Sequence, residues 1–101
     1  MATYRITPDA QRDIDQIWDY VGLENDNPVA ADALMGKFER QFVLLAAHPR
    51  LGVAREDLAE NLRMFPIQNY VLLYLPTNSG IDVVQIIHSA RDIHTVFRGL
   101  T

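Results

Sequence analysis

The segments Tyr70-Val71-Leu72-Leu73-Tyr74-Leu75 and Ile81-Asp82-Val83-Val84-Gln85-Ile86-Ile87-His88 constrain this chain most. Both are short and rich in β-branched and aromatic residues. Turn formers bound them, Gln68-Asn69 ahead of the first and Asn78-Ser79-Gly80 between the two, so they read as neighbouring strands. Side chains alternate along a strand. Tyr70, Leu72 and Tyr74 therefore take one face and Val71, Leu73 and Leu75 the other; in the next strand Ile81, Val83 and Ile87 oppose Val84 and Ile86. Both faces are apolar, whereas a sheet with one wet face would alternate with polar residues. A chain built on these strands has to cover its sheet twice.

Helices for one of the two covers are written upstream. Thr7-Pro8-Asp9 is a helix start, with Thr7 able to cap, Pro8 suited to the first helical position and Asp9 placed at the positive end of the dipole. Ala10, Ile14, Ile17, Trp18 and Val21 then recur at helical spacing, which predicts about four turns ending at "GLENDN". Asn27-Pro28 opens a second helix by the same logic. Ala31, Leu34, Met35, Phe38, Phe42 and Leu45 form its stripe, and His48-Pro49 closes it. The pair reads as an antiparallel helical hairpin. With "ATYRI" as a first strand and "LRMFPI" as another, and residues 49–61 as a loop with at most one helical turn, the expected order is β-α-α-β-β-β. The fold class is α+β: the hairpin packs on a small, mainly antiparallel sheet, and residues 1–101 make one domain.

The second face has only the loop and the tail "RDIHTVFRGLT" within the chain to cover it. An apolar patch left open in this way marks a partner site, and that reading is preferred here over self-coverage.

Charge and composition narrow the function. The formal charge is −4, and residues 1–49 carry all of the excess, with four basic against eight acidic side chains. With a single lysine and no basic run, the chain lacks the footprint of a nucleic-acid binder, so no direct nucleic-acid contact is expected. There is no cysteine, which excludes disulfides, thiolate catalysis and Cys-ligated metal. "FVLLAA" and "YVLLYL" are too short to span a bilayer, and the N-terminus has no apolar leader, so a cytoplasmic protein without membrane contact is expected.

The last strand ends in "IHSARD", an imidazole, a hydroxyl, a guanidinium and a carboxylate at the lip of an apolar run. Cleavage of RNA would need groups to activate a 2′-hydroxyl, stabilise the phosphorane and protonate the leaving oxygen. Arg63, His88 and Arg91 are the only set on offer, and Arg63 and His88 meet only if their strand registers agree. Each has a plainer role: His88 bonded to a carbonyl or to Asp92 at a strand end, Arg91-Asp92 organising a turn or capping the tail, and Arg63 facing solvent. The spacing of His88, Asp92 and His94 matches no common metal site, and neither a metal nor a cofactor is expected. Trp18 sits in a core stripe, where packing is its first role and a partner groove its second.

These residues, in this order, resemble the ParE branch of the RelE/ParE toxin superfamily of bacterial type II toxin–antitoxin modules. The resemblance rests on the element order, "DIDQIWDYV", "HPRLG" at 48–52, "LR" at 62–63, "YVLLYLP" and "IIHSARD", and covers nearly the whole chain. It implies a toxin neutralised by a ParD-type antitoxin, whose C-terminal segment wraps the toxin and whose N-terminal part binds operator DNA. It also implies inhibition of DNA gyrase, and so a block to replication, in modules associated with plasmid stabilisation. RelE-like relatives instead cleave mRNA on the ribosome, but the Lys/Arg-rich strand and C-terminal tyrosine of many such members are missing here. Arg63, His88, Arg91, Asp92, Phe97 and Arg98 are then the expected target-binding residues, with Asp92 to Thr101 as the segment that reaches the target. Trp18, Tyr70, Leu72 and Tyr74 are the expected antitoxin-binding residues. Two alternatives stay open: an mRNA endoribonuclease using Arg63, His88 and Arg91, and a non-toxic module that only binds its antitoxin.

Overall fold

The structure is a computed structural model that describes residues 1–100, so Thr101, the end of the expected tail, lies outside the described residues. The chain runs β1 (Thr3–Ile6), α1 (Pro8–Trp18), a π-helical segment (Asp19–Glu24), α2 (Pro28–Ala47), β2 (Val53–Ala54), β3 (Arg63–Ile67), β4 (Tyr70–Pro76), β5 (Gly80–His88) and α3 (Ile93–Val96). The sheet order is β1-β5-β4-β3-β2. β1 lies parallel to β5, and every other pairing is antiparallel. The α+β architecture with a helical hairpin on the sheet is as expected.

Both helix starts form as their sequences dictate. The Thr7 side chain accepts from the Ala10 amide at 3.2 Å and the Asn27 side chain from Ala30 at 3.2 Å, each just ahead of a proline. The first helix departs from expectation after Trp18, where it widens into the π-helical segment. Gly22 lies directly against the Trp18 ring, and a Cβ there would sit 3.0 Å from ring carbons, so only glycine lets the two stay this close. β2 is also new. Two residues are too few to show in a pattern, and they count as strand only because β3 lies beside them.

The hairpin covers one face of the sheet. Phe38, Phe42, Leu45 and Leu34 meet Leu72, Tyr74, Ile81, Val83 and Ile86 in one apolar cluster. The second cluster, on the opposite face, joins Leu62, Leu73 and Ile87 to Leu58 of the loop and to Ile93, Val96 and Phe97 of the tail. Loop and tail thus cover the second face, and the preference for an outside partner there is corrected: Leu73 is fully buried and Ile87 is 4% exposed within the chain itself.

The strict alternation expected of β5 also fails. Leu73 pairs with Gln85 but Tyr74 pairs with Val83, so Val84 is an extra residue in a β-bulge. The bulge swaps the faces beyond it, putting Ile86 under the helices and Ile87 under the tail. Gln85 now points, with Val84, toward the tail.

Candidate functional site

β5 outruns β1, which ends at Ile6 opposite Val83. Past that point the edge of β5 has no strand beside it, and an unpaired buried amide would be costly. Asp13 on α1 supplies the missing partner: its Oδ2 accepts from the Ile86 amide at 3.1 Å. The same carboxylate accepts two hydrogen bonds from Arg98 in the tail, at 2.8 and 2.9 Å. That hydrogen-bonded ion pair holds the Arg98 guanidinium even more firmly charged than usual. Gln85, 5% exposed, completes the latch by donating to the Val96 carbonyl at 2.9 Å and accepting from the Arg98 amide at 3.0 Å. Neither Asp13 nor Gln85 was among the expected site residues. The polar Gln85 within "VVQII" was the available signal for one, whereas Asp13 gave none, because it reads as solvent-facing.

The "IHSARD" residues separate into two roles. Asp92 caps α3, accepting from the His94 amide at 3.0 Å and the Thr95 hydroxyl at 3.1 Å. His88 is exposed; its Nδ1 accepts from the Ala90 amide at 3.1 Å, which leaves the proton on Nε2, and its ring stands edge-on to Tyr70 with centroids 5.3 Å apart. Arg91 is exposed, and its guanidinium bonds to no other described residue. His88 and Arg91 line an open groove of about 800 Å³ together with Ile17, Tyr20, Tyr70 and Thr95. Phe97 is half-buried in the second cluster, so it anchors the tail.

Arg63 is elsewhere. It pairs with Tyr74, while His88 pairs with Tyr70, four positions away on β4. At about 3.3 Å per residue that is roughly 13 Å along the strand, with a strand between them as well. The registers do not bring Arg63 and His88 together. Arg63 Nη1 instead donates to the carbonyls of Gly52 and Arg50, beside a second open groove of about 870 Å³. The Tyr74 hydroxyl secures the same loop, donating to the Pro49 carbonyl at 2.6 Å and accepting from the Gly52 amide at 2.9 Å. A Cβ on Gly52 would lie 2.4 Å from that hydroxyl, which accounts for the glycine in "HPRLG". Burial pushes the Tyr74 and Tyr70 phenols up.

The expected antitoxin contacts at Tyr70, Leu72 and Tyr74 are corrected: Leu72 and Tyr74 are 0% exposed and Tyr70 9%, all under the helical hairpin. Trp18 is only partly buried, and its Nε1 donates to Asp32 at 2.9 Å, tying α1 to α2. His94 Nδ1 comes within 3.9 Å of Asp92 Oδ1 and its Nε2 lies 3.0 Å from Asp57 Oδ2, but His88, Asp92 and His94 do not gather into a metal-binding group. Arg55 and then His94 hold the Asp57 carboxyl well below the usual carboxylate range. Among the described residues no cluster of three His, Asp or Glu side chains could hold a metal, and no helix is long and apolar enough to cross a membrane.

Comparisons with known proteins agree on one family. Residues 4–93 match the family described as ParE toxin of type II toxin–antitoxin system, parDE. Toxin ParE1 of Mycobacterium tuberculosis is 28% identical over 91 residues, covering 89% of this chain and 92% of the relative. Toxin ParE3 of Caulobacter vibrioides is 32% identical over 75 residues, covering 74% of each. A chain from the chromosomal ParDE system of P. aeruginosa superposes with a TM-score of 0.69 at 21% identity, over 87% of this chain and 96% of that one, and so shares the fold. The chain therefore belongs to the ParE toxin family of type II toxin–antitoxin systems.

Proposed function

We propose that this ParE-family toxin acts by binding a protein target, DNA gyrase, and is neutralised by a ParD-type antitoxin. The observation that carries the reading is the separation of Arg63 from His88 across the sheet. General acid–base cleavage needs its groups within hydrogen-bond reach of one phosphate, and these two sit in different grooves. What His88 and Arg91 do offer is a recognition surface: a ring and an unpaired guanidinium on a groove floored by Ile17 and Tyr70. In this reading Asp92, Phe97 and Arg98 act indirectly, by capping and anchoring the tail that frames the groove. The name of the P. aeruginosa neighbour, a ParDE system, supports an antitoxin partner here.

Inducing the chain in bacteria without antitoxin, and following labelled thymidine and methionine incorporation over the first minutes, tests the reading. Early arrest of DNA synthesis with translation intact is expected. Early arrest of translation would overturn it in favour of mRNA cleavage, and no arrest of either would leave a module that only binds its antitoxin.

A further inference from the structure

β2 closes one side of the sheet, and its outer edge carries features that the tail groove lacks. Arg55 donates its amide to the Leu62 carbonyl at 2.8 Å while the Leu62 amide turns to Ala59, so one bond of a hydrogen-bonded pair continues the ladder there. Such pairs alternate along an antiparallel ladder, which makes Val53–Met64 hydrogen-bonded and Ala54–Arg63 not. The Ala54 N–H and C=O therefore point away from the sheet. Leu51 and Val53 beside them are 52% and 62% exposed.

The loop leading into this edge is held rigidly. The buried Tyr74 hydroxyl bridges Pro49 and Gly52, and Arg63 clamps the carbonyls of Arg50 and Gly52. A strand edge fixed in advance loses little freedom when another segment pairs with it. The charge is also distinctive. In a chain of net charge −4, this groove brings the guanidinium groups of Arg50 and Arg63 against a single carboxylate, that of Glu56. Glu56 turns one carboxylate oxygen to the Asn61 amide at 2.9 Å, while the Arg50 side chain bonds to no other described residue.

We propose that the outer edge of β2, from His48 to Glu56, is a docking site for an extended acidic segment of a partner protein, which adds to the sheet as a further short strand. The backbone of the segment pairs with Ala54, its carboxylates meet Arg50 and Arg63, and its apolar side chains lie on Leu51 and Val53. Two paired backbone groups give little affinity, so the charges and the two exposed apolar residues set the specificity. The site lies at the end of the sheet opposite the His88–Arg91 groove and does not depend on gyrase being the target.

The test is nitrogen-15 NMR of the full chain with three probes: a blocked peptide alternating Val and Glu, its Val and Lys counterpart, and a short oligouridine RNA. The acidic peptide is expected to shift the amides of residues 51–55 and to slow exchange of the Ala54 amide. The basic peptide should bind about tenfold more weakly or not at all. R50E should reverse that preference. A54P, which removes an N–H that bonds nothing within the chain, should abolish the response with the remaining spectrum unchanged. The proposal is overturned by equal response to both peptides, by response to the RNA alone, by shifts confined to His88 and Arg91, or by none at millimolar peptide.

Discussion

The two faces of this sheet are both apolar, yet they are covered by different means. Under the hairpin, two capped helices of 11 and 20 residues press Phe38, Phe42 and Leu45 onto Leu72 and Val83, and burial does nearly all the work. On the other face a four-residue helix and a loop supply Val96, Phe97 and Leu58. So short a helix has almost no stability of its own. It stays because Asp13, Gln85 and Arg98 tie its backbone and side chains to the sheet. Covering an apolar face thus takes either enough area or enough well-placed polar ties. The second solution leaves a surface rimmed by polar groups, beside which the exposed His88 and Arg91 lie.

The largest test of this contrast is Phe38→Ala. It empties a 1%-exposed position beneath both Tyr70 and Phe42 and should cost about 3 to 5 kcal/mol in denaturant melts, losing both faces together. Next comes Tyr74→Phe, which leaves the Gly52 amide without its partner and should cost about 1 to 3 kcal/mol.

The same residue predicts a pH dependence. A phenol whose pKa is raised by burial stabilises the fold fully below its unfolded value, about 10, and that contribution is lost as pH rises through the folded value. The thermal midpoint should therefore hold through neutral pH and fall in alkali, and Tyr74→Phe should flatten the fall.

Gln85→Ala separates the faces. It should cost about 1 to 2 kcal/mol and speed hydrogen exchange in residues 92–98 while the helix-covered strands stay protected. Uniform loss of protection would mean that the two faces are one cooperative unit. Smallest is Arg5→Ala, which breaks an ion pair to Asp82 with a largely exposed guanidinium and should leave the denaturation midpoint indistinguishable from that of the parent chain.

Local chemistry made most of the fold readable. Thr7-Pro8 and Asn27-Pro28 start helices through bonds to residues three positions on, and the turns at Gln68-Asn69 and Asn78-Gly80 lie within a few residues of the strands they join. The family was legible for the same reason, because each of its motifs is a short contiguous stretch within one element or at its end. The site was less so. Alternation put Ile87 on one face with Ile81 and Val83 because a bulge at Val84 leaves no mark in a run of valine and isoleucine, whereas Ile86 is the residue that joins them. Tyr70, Leu72 and Tyr74 could be grouped on one face, but nothing local says which cover that face receives.

What the sequence determined by itself is the set of elements and the need to bury both sides of the sheet, since propensity, capping and alternation act over a few residues. Only the tertiary structure decided that the chain covers the second face with its own tail, that Asp13 on α1 completes the edge of β5, and that Arg63 and His88 stay apart. Each of these depends on the register between segments distant in sequence. Register is set by how whole faces pack, and no short stretch of residues carries it.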